Sequence, residues 1–403
     1  MNYHVKNIFG KTEKKRVYVE VLGSKSITAR ALLIAALAKG ETVLYNAQLS
    51  DDCSAFLECI RALGIECEVD GSTVKIRGCG GKLPVSEANI NVRSAGTAAR
   101  FLTALLALSE GKFTVDSSEQ MKRRPIRPLI DSLVSVGASV TSENGTFPLK
   151  IRGAASPENF VEVDITESSQ FLSALLISGV LVKNGITVRP VGSHGLDYVK
   201  MTLDMMWSFG VTVEERDGAY FVRGGYAAKK YDIEPDMSAA CYFYAANRIL
   251  GADIAVKGVL PHSMQGDIKF IELIKNFNGG RIDMSEFSDQ ALTMAAVAPY
   301  FDNPTVISGV AHIRRQECDR IAAICRNLGA MGVRCEELPD GVKIYPSQPR
   351  PATIETFGDH RVAMAFALTG LRADGIVISN AEVCSKTFSD YFEVLDGVIE
   401  KIT

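Results

Sequence analysis

One unit of sequence recurs along this chain and constrains its fold more than any other feature. Each copy has an apolar, helix-like run that ends near a glycine, followed by two stretches of alternating polar and apolar residues joined by a turn. Four copies are recognisable, at residues 61–78, 132–153, 207–224 and 327–346. The pivotal glycines recur at an interval of 73 residues over the first three copies, and they are Gly64, Gly137, Gly210 and Gly332. A fifth, degenerate copy is predicted at 275–284.

The residue types of each copy indicate its local structure. A glycine ends a helix in the left-handed conformation, alternation with period 2 makes strands, and Asp-Gly or Asn-Gly makes a hairpin turn. We therefore expect β-α-β-α-β-β units. The helices before the glycines are so rich in Ala and Leu that we expect them to be buried, and they lie at 31–38, 98–108, 170–177, 239–246 and 291–298. Solenoids repeat at about 20–50 residues, so the longer period indicates subdomains.

Length and composition narrow the class of protein. A chain of 403 residues is long enough for two domains, and 47% hydrophobic with 23% charged residues argues against disorder. The formal net charge of −3 gives no reason to expect a nucleic-acid partner. Residues 1–16 lack the apolar stretch of a secretory leader, and the longest apolar run, 171–182, is too short to span a bilayer. We expect a soluble, cytoplasmic protein with no membrane partner.

The cysteines and histidines indicate neither a disulfide framework nor a metal site. Nine cysteines are an odd number, are scattered and include no C-x-x-C pair, so we expect free, small core residues in a reducing compartment. The five histidines show no metal-ligand spacing. The sequence therefore predicts no metal and no cofactor.

Small polar residues, mostly with a basic neighbour, recur where the buried helices begin. The segments are GSKSITAR (23–30), RSAGTAAR (93–100), GDHR (358–361) and, without a cation, ESSQ (167–170). Helix N-termini favour anions, although a helix cap beside a solvated arginine explains any one of these segments equally well. Arg124, Arg320 and Lys386 add three cations near turns or helix starts. Together they predict one or two substrates that carry phosphate and carboxylate groups.

Two acidic residues are candidates for proton transfer. Asp289 and Glu317 each precede an apolar helix, a position that suits either a general acid or base or a first-turn acid. Asp51, Asp52 and Asp236 are predicted to be helix caps instead.

Eight strings, in order over essentially the whole chain, resemble the 5-enolpyruvylshikimate-3-phosphate synthase family. They are GSKSITARALLIAALAKGETVL, SAGTAARFLTALLAL, MKRRPIRPLIDSL, ESSQFLSALLIS, SDQALTMAA, QECDRIAAICRNLGAMG, GDHRVAMAFAL and SKTFSDYF. The resemblance implies an α/β (α+β) fold, a two-lobed inside-out α/β barrel with three β-α-β-α-β-β repeats in each lobe. The first lobe would comprise 1–20 plus 231–403 and the second 21–230, with the active site in the interlobe cleft.

The same resemblance implies an activity. The enzyme would transfer the enolpyruvyl group of phosphoenolpyruvate to the 5-hydroxyl of shikimate 3-phosphate, releasing phosphate, on the route to chorismate and the aromatic amino acids. It would act as a monomer, with these two small molecules as its substrates.

Residue roles follow from the resemblance position by position. Asp289 matches the base at the 5-hydroxyl, Glu317 the proton relay to the methylene carbon, and Lys25 a catalytic lysine that contacts both substrates. The residues implied for shikimate 3-phosphate are Lys25, Ser26, Arg30, Ser168, Ser169, Gln170, Ser193, Tyr198, Asp289 and Gln316. Those implied for phosphoenolpyruvate are Lys25, Gly96, Arg124, Gln170, Arg320, Arg361 and Lys386.

The sequence departs from the family pattern at a few positions. Gln316 stands where lysine is usual and loses a charge near the shikimate moiety, which would weaken substrate affinity. Ala29 and His312 each replace a common asparagine, and 192–198 differs in length from the usual Ser-x-x-Tyr segment around Ser193. Gly96 followed by Thr97 and Ala98 resembles forms whose phosphoenolpyruvate site admits the inhibitor glyphosate.

Two other functions are compatible with parts of the pattern. The related enolpyruvyl transferase of UDP-N-acetylglucosamine would need a cysteine in a Gly- and Arg-rich loop of the first half, and none of Cys53, Cys59, Cys67 and Cys79 lies in such a segment. A non-catalytic or altered-specificity homologue that binds a phosphorylated ligand is supported only by Gln316.

Overall fold

The computed structural model describes residues 1–13 and 15–403. Their contacts divide the chain into two compact units. Unit 1 comprises residues 1–22 and 235–403, and unit 2 comprises residues 23–234. Across the described ranges, no helix combines the length and the apolar character needed to cross a bilayer.

Short strands alternate with helices through both units. The strands are β1 (Tyr3–His4), β2 (Arg16–Val19), β3 (Lys39–Tyr45), β4 (Glu66–Asp70), β5 (Thr73–Cys79), β6 (Glu87–Asn91), β7 (Lys112–Asp116), β8 (Ser139–Thr141), β9 (Leu149–Arg152), β10 (Phe160–Asp164), β11 (Ile186–Val191), β12 (Glu214–Arg216), β13 (Ala219–Val222), β14 (Lys230–Asp232), β15 (Asp253–Val256), β16 (Gly280–Asp283), β17 (Thr305–Ser308), β18 (Cys335–Leu338), β19 (Gly341–Ile344), β20 (Ala352–Ile354) and β21 (Ile376–Ile378).

The helices include several that are buried along their length. They are α1 (Lys25–Leu37), α2 (Asp51–Ala62), α3 (Gly96–Ala107), α4 (Glu119–Lys122), α5 (Arg127–Ser135), α6 (Gln170–Ser178), α7 (Leu196–Ser208), α8 (Met237–Leu250), α9 (Ile268–Ile274), α10 (Ala291–Val297), α11 (Arg320–Ala330), α12 (His360–Gly370) and α13 (Tyr391–Ile402). Short 3₁₀ helices lie at Gly179–Leu181, Ser285–Gln290, Ala298–Tyr300, Ala311–Arg315 and Ala381–Lys386.

Unit 2 is built from three four-stranded sheets of the same topology. Their strand orders are β14-β3-β5-β4, β6-β7-β9-β8 and β10-β11-β13-β12. In each sheet the first two strands are parallel, and the last two form the antiparallel hairpin that the repeat predicts. The apolar helices α1, α3 and α6 pack against one another or against α7 and are almost wholly buried, as their composition predicts.

Unit 1 repeats this plan with two shortened sheets. The sheet β16-β17-β19-β18 has the complete topology, whereas over residues 1–13 and 15–403 the sheets β1-β21-β20 and β15-β2 lack the hairpin. The prediction of a fifth copy at 275–284 is therefore wrong: the strand in that segment, β16, pairs parallel with β17 instead of opening a hairpin. The buried helices α8, α10 and α12 form the core of this unit.

The strands next to the two unit boundaries pair with distant parts of the chain. β2 immediately precedes α1 in the sequence but pairs with β15 of unit 1, and β14 immediately precedes α8 but pairs with β3 of unit 2. Both pairings are parallel. Each unit thus completes a sheet with a strand far away in the sequence.

Local sequence signals agree with the structure at the repeat glycines and only partly at the cysteines. The four pivotal glycines have φ angles of +79°, +101°, +89° and +72°, in the order of the chain, a region that side chains other than glycine rarely adopt. All nine cysteines are free thiols. Cys53, Cys59, Cys241 and Cys384 are buried as expected, but the other five are partly exposed, so the prediction of nine core residues is wrong.

Candidate active site

The start of α1 places a lysine beside a carboxylate. Ser24 caps the helix by accepting a hydrogen bond from the Ile27 amide, and Lys25 follows directly. Lys25 Nζ lies 3.4 Å from Asp52 Oδ2 in the first turn of α2, and both side chains are largely buried. The cap residue of α2 is Ser50, so the prediction that Asp51 and Asp52 cap this helix is wrong. Asp52 is instead an ion-pair partner of Lys25.

Arg30, one turn after Ser26 on the same helix, is buried among neutral groups. Its Nε donates to Thr202 Oγ1 at 2.8 Å, and its two terminal nitrogens donate to the carbonyl oxygens of Ser26 (3.0 Å) and Tyr198 (3.1 Å). The guanidinium also lies over the ring of Phe101. Burial lowers the pKa of Arg30 to about 10, which shows how strongly this cation lacks the hydration it would have in water.

Ser168, Ser169 and Gln170 lie at the start of α6. Ser168 Oγ accepts a hydrogen bond from the Gln170 amide at 3.3 Å, and Gln170 Nε2 donates to Thr97 Oγ1 of α3 at 3.3 Å. Ser169 is buried, and a β-carbon on Gly195 would lie 2.6 Å from its hydroxyl oxygen. Ser193 lies exposed in the turn before α7. Within unit 2, Gln170 thus links two helix starts that the sequence places 73 residues apart.

Gly96 and Arg124 touch at the start of α3. A β-carbon on Gly96 would lie 2.6 Å from Arg124 Nη1 and 3.0 Å from Arg124 Cζ, so the absence of a side chain lets the guanidinium rest across the helix start. Arg100, one turn later, is also buried and donates to the carbonyl oxygens of Gly96 and Pro125. Arg100 holds the loop that leads from Arg124 to α5.

The centre of the unit 1 site is the buried Arg320 at the start of α11. Its side chain is 2% exposed, and its nitrogens lie 2.7 Å from Asp359 Oδ2, 2.9 Å from Glu317 Oε2 and 3.1 Å from Asp289 Oδ1. Burial lowers the pKa of Arg320, but the negative charges of Asp359, Glu317 and Asp289 outweigh it, so that this pKa ends above its ordinary value.

Asp289 joins the two arginines of this cluster. Its Oδ2 accepts from Arg361 Nη2 at 2.8 Å, while its Oδ1 faces Arg320. Asp289 is the penultimate residue of the 3₁₀ helix Ser285–Gln290, just before α10, and keeps 21% of its side chain exposed, against 7% for Glu317. The carboxylate that the sequence suggests as a base is therefore held by two cations and still accessible.

Asp359 organises the cluster from behind. It caps α12 by accepting from the Arg361 amide at 2.9 Å, and its side chain is completely buried. One carboxylate thus orients both Arg320 and the backbone of Arg361. Lys386 is buried and ends the 3₁₀ helix Ala381–Lys386, which packs against α12.

Two of the departures from the family pattern, Gln316 and His312, lie near Arg320 and Asp289. Gln316 takes part in the cluster, because its side-chain oxygen accepts a hydrogen bond from Arg320 Nη1. His312 Nε2 and Ser288 Oγ are 2.9 Å apart, next to Asp289. The substituted residues are thus integrated into the cluster by hydrogen bonds.

Sequence reasoning missed several residues that complete these clusters. Arg100 and Asp359 lie inside recognised motifs, so their proximity to candidate residues was available as a signal, whereas Asp52 lies between two motifs and was predicted to be a helix cap. Ser238 and Asp267, which lie behind Arg361, had no signal beyond the expected cap at Asp236. That cap is confirmed, since Asp236 accepts from the Ala239 amide.

Comparison with known proteins identifies the family. The family model described as EPSP synthase (3-phosphoshikimate 1-carboxyvinyltransferase) matches residues 11–279 and 273–395. The 3-phosphoshikimate 1-carboxyvinyltransferase of Trichormus variabilis is 39% identical over 93% of this chain and 94% of its own length. A second relative with that name, numbered 2, in Halalkalibacterium halodurans is 36% identical over 93% of this chain and 90% of its own length.

A solved structure shows the same fold. The EPSP synthase of Acinetobacter baumannii superposes with a TM-score of 0.83, at 22% identity, over 98% of each chain. Together with the repeated β/α units in two lobes, this confirms the predicted fold class. The solved structure shows only the fold, whereas the nearly full-length matches at 36–39% identity show the family. The chain belongs to the EPSP synthase (3-phosphoshikimate 1-carboxyvinyltransferase) family.

Proposed function

We propose that this chain transfers the enolpyruvyl group of phosphoenolpyruvate to the 5-hydroxyl of shikimate 3-phosphate and releases phosphate. The observation that carries the proposal is the cluster in which Asp289 and Glu317 share Arg320, with Arg361 on the far side of Asp289. It combines two carboxylates suited to proton transfer with two fixed cations suited to a phosphate and a carboxylate.

The reaction requires addition followed by elimination. In the first step the 5-hydroxyl oxygen bonds to C2 of phosphoenolpyruvate, Asp289 takes the hydroxyl proton, and Glu317 delivers a proton to the methylene carbon. In the second step Glu317 takes a proton back from that carbon, the C2–phosphate oxygen bond breaks, and phosphate leaves with the proton that Asp289 took from the hydroxyl. Each carboxylate acts as a positioned acid or base, and the arginines stabilise the negative charge on the leaving phosphate.

The charge balance of the cluster suggests how binding prepares the base. Arg320 and Arg361 face three carboxylates, those of Asp289, Glu317 and Asp359. An incoming phosphate or carboxylate competes with Asp289 for both arginines, because charge-assisted hydrogen bonds to guanidinium are the strong ones available. Asp289 would then be released towards the hydroxyl from which it takes a proton, while the buried Asp359 keeps Arg320 in place.

Unit 2 supplies the residues proposed for shikimate 3-phosphate. Lys25, Ser26 and Arg30 lie on the first turns of α1, and Ser168, Ser169 and Gln170 surround the start of α6. Tyr198 contributes a carbonyl oxygen to Arg30. The proposed set also includes the exposed Ser193 and, from unit 1, Asp289 and Gln316. Phosphate groups bind well at helix N-termini that carry cations and hydroxyls.

The residues proposed to bind phosphoenolpyruvate include five cations. The set is Lys25, Gly96, Arg124, Gln170, Arg320, Arg361 and Lys386. The contact of Gly96 with Arg124 and the enclosure of Arg320 by carboxylates support this assignment, because both hold a guanidinium in one orientation. Glyphosate is proposed to occupy the same site.

Nothing in the described part of the chain favours the alternative functions. Cys53 and Cys59 lie on α2, and Cys67 and Cys79 on β4 and β5, so none occupies the loop that the UDP-N-acetylglucosamine transferase would need. The proposal extends to a monomer located in the cytoplasm. The nine free thiols support the cytoplasmic location, because such thiols persist in reducing compartments. Sedimentation velocity of the purified protein tests the monomer.

The decisive experiment measures phosphate release with both substrates and with each omitted in turn. Release that needs both phosphoenolpyruvate and shikimate 3-phosphate is expected. Absence of release, with shikimate 3-phosphate still binding by calorimetry, would overturn the proposal in favour of a non-catalytic homologue.

A further inference from the structure

A chain of polar groups leads away from the arginine cluster into the core of unit 1. Arg361 Nη2 donates to Ser238 Oγ at 3.5 Å, and Ser238 Oγ donates to Asp267 Oδ2. Ser238 lies in the first turn of α8, and Asp267 directly precedes α9. Two segments that are distant in sequence thus meet behind the arginine that holds Asp289.

The direction of these hydrogen bonds follows from the groups themselves. An ionised carboxylate only accepts, and an arginine only donates. The hydroxyl of Ser238 has one proton, which goes to Asp267, so its lone pairs are left facing Arg361. Asp267 therefore determines which way the Ser238 hydroxyl points.

The surroundings of Asp267 make an ionised carboxylate costly. The residue is buried, and within the described part of the chain its Oδ1 has no hydrogen-bond partner. The charged groups that act on it are Asp289 and Asp236, which disfavour ionisation, and Arg361, which favours it. Burial, followed by Asp289, raises the pKa of Asp267 from 3.8 to about 6. The other titratable neighbour is Cys241, whose thiol donates to the Asp267 carbonyl oxygen.

A purely structural role does not account for this carboxylate. Asp267 precedes α9, but its side chain makes no capping hydrogen bond to that helix. Ser238 is the acceptor through which its charge reaches the site, and a buried carboxylate with one oxygen that has no hydrogen-bond partner among the described residues is costly for stability. The contact with the cluster is the feature that the carboxylate adds.

We propose that Asp267 is a positioning residue that acts through Ser238 to hold the Arg361 guanidinium against Asp289. This inference rests on the proposed function, because Arg361 is there a phosphoenolpyruvate ligand. Without the Ser238 acceptor, the guanidinium loses one of the contacts that fix its direction.

The first test compares steady-state constants of the full-length protein. Asp267→Ala and Ser238→Ala are each expected to raise KM for phosphoenolpyruvate about three- to tenfold, the effect of one hydrogen bond. KM for shikimate 3-phosphate is expected to stay within about twofold, since the effect is confined to Arg361. The double variant should be no worse than either single one, because both remove the same chain.

Matched variants separate positioning from folding. Ser238→Thr keeps the hydroxyl and should restore KM for phosphoenolpyruvate. Ser308→Ala removes a buried hydroxyl elsewhere in unit 1, one that donates to the Ile282 carbonyl oxygen, and should leave KM unchanged. Thermal unfolding of every variant shows whether it folds.

The second test uses Asp267→Asn, which can accept from Ser238 but cannot ionise. At pH 7–8 the wild type should have the lower KM for phosphoenolpyruvate, and this advantage should disappear as the pH falls through about 6, where Asp267 takes up a proton. The ratio of the two proteins at each pH cancels the ionisation of the substrates' own phosphate groups. A loss of packing alone would give a ratio that is independent of pH.

The outcomes distinguish this inference from the proposed function. Unchanged KM in well-folded Asp267→Ala and Ser238→Ala, or a pH-independent ratio for Asp267→Asn, overturns the positioning role. If the wild type releases no phosphate, the proposed function fails, and calorimetric binding of phosphoenolpyruvate to the same proteins then decides the role of Asp267. Absence of phosphoenolpyruvate binding to the wild type overturns both.

Discussion

Two buried arginines, one in each unit, sit in opposite electrostatic environments. Arg30 of unit 2 donates to two carbonyl oxygens and a hydroxyl, and burial lowers its pKa to about 10. Arg320 of unit 1 contacts three carboxylates, whose charges outweigh burial and raise its pKa. Both guanidinium groups are buried, but Arg30 donates to neutral oxygens, whereas Arg320 is surrounded by carboxylates.

The difference indicates a division of labour. A buried cation among neutral dipoles gains much from an anionic ligand, which suits binding. A cation enclosed by carboxylates holds them in fixed positions, which suits proton transfer. We therefore expect substitutions in unit 2 to act mainly on KM and substitutions of the unit 1 carboxylates to act mainly on kcat.

The largest effect is expected for the two acids of unit 1. Asp289→Ala and Glu317→Gln should each lower kcat at least about a hundredfold, the low end for losing a positioned acid or base. Phosphate release at saturating substrates measures this. Glu337→Gln, an exposed acid of the same unit that pairs with Arg314, is the control and should keep kcat. If these substitutions raised KM and left kcat unchanged, the proposed division of roles between the two units would be wrong.

A second effect concerns the stability of unit 1. With a pKa of about 6 when folded and 3.8 as its ordinary value, Asp267 binds a proton more tightly in the folded state, so its contribution to stability falls as pH rises from 4 to 6. The free energy of unfolding of Asp267→Asn relative to wild type should therefore increase by about 2 kcal/mol between pH 4 and pH 8.

Urea denaturation at the two pH values measures this change. Asp283→Asn is the control, because the Asp283 carboxylate accepts from the Ser285 amide and has a lowered pKa. For a lowered pKa the sign reverses, so this variant should lose stability relative to wild type as pH rises. A constant difference for Asp267→Asn would contradict the burial of an ionisable group at this position.

The unit 2 counterpart is Arg30. Arg30→Met should raise KM for shikimate 3-phosphate about tenfold, the lower range for a charge-assisted hydrogen bond, with kcat within about threefold of wild type. Arg30→Lys keeps the charge and should recover part of the loss. Arg189→Met provides the control, since Arg189 is an exposed arginine stacked on Phe160, as Arg30 is on Phe101. Steady-state kinetics of Arg30→Met in both substrates measure the effect. A fall in kcat instead of a rise in KM would contradict the assignment of unit 2 to substrate binding.

Gly96 tests whether the position of Arg124 matters for the smaller substrate. The added methyl of Gly96→Ala would lie 2.6 Å from Arg124 Nη1, and moving the guanidinium should cost about 1 kcal/mol, or roughly a fivefold rise in KM for phosphoenolpyruvate. The glyphosate concentration for half inhibition should rise too. Gly225→Ala, with nothing within 4 Å of the new carbon, is the control. Wild-type activity unaffected by millimolar glyphosate would contradict a shared site.

The smallest effect is expected at Gln316, the departure from the family pattern. Gln316→Lys restores a charge near the proposed shikimate 3-phosphate ligands, and KM for that substrate should fall about twofold, as for a solvent-accessible ion pair of ~0.5 kcal/mol. Gln348→Lys, at an exposed position of the same unit, controls for net charge. A rise in KM would instead show that the hydrogen bond that Gln316 accepts from Arg320 contributes more to binding than a lysine at position 316.

The fold was predictable from the sequence wherever its signal is local. The glycines at the helix ends and the alternating hairpin strands gave the unit, and the apolar helices gave the core. The shortened sheets of unit 1 were not predictable in this way, because β16 follows a glycine pair much as a hairpin strand would, and only its parallel pairing with β17 shows otherwise.

The candidate site was predictable as a set of residues but not as an arrangement. The motifs contain Asp289, Glu317, Arg320 and Arg361, yet nothing in their spacing shows that Asp289 bridges the two arginines. Asp52 was mistaken for a cap because first-turn acids and ion-pair partners have the same sequence pattern. Ser238 and Asp267 carry no periodic or compositional signal at all.

The sequence by itself determined the repeat, the turn chemistry, the buried helices and the family, since each depends on residues that are neighbours in the chain or on motifs that can be matched in order. Only the tertiary structure decided which charges meet. Arg30 and Thr202 are 172 residues apart in sequence, and Arg361 and Ser238 are 123 apart. Such contacts depend on how sheets and helices pack, and packing is the sum of many weak interactions that leave no periodic trace in the sequence.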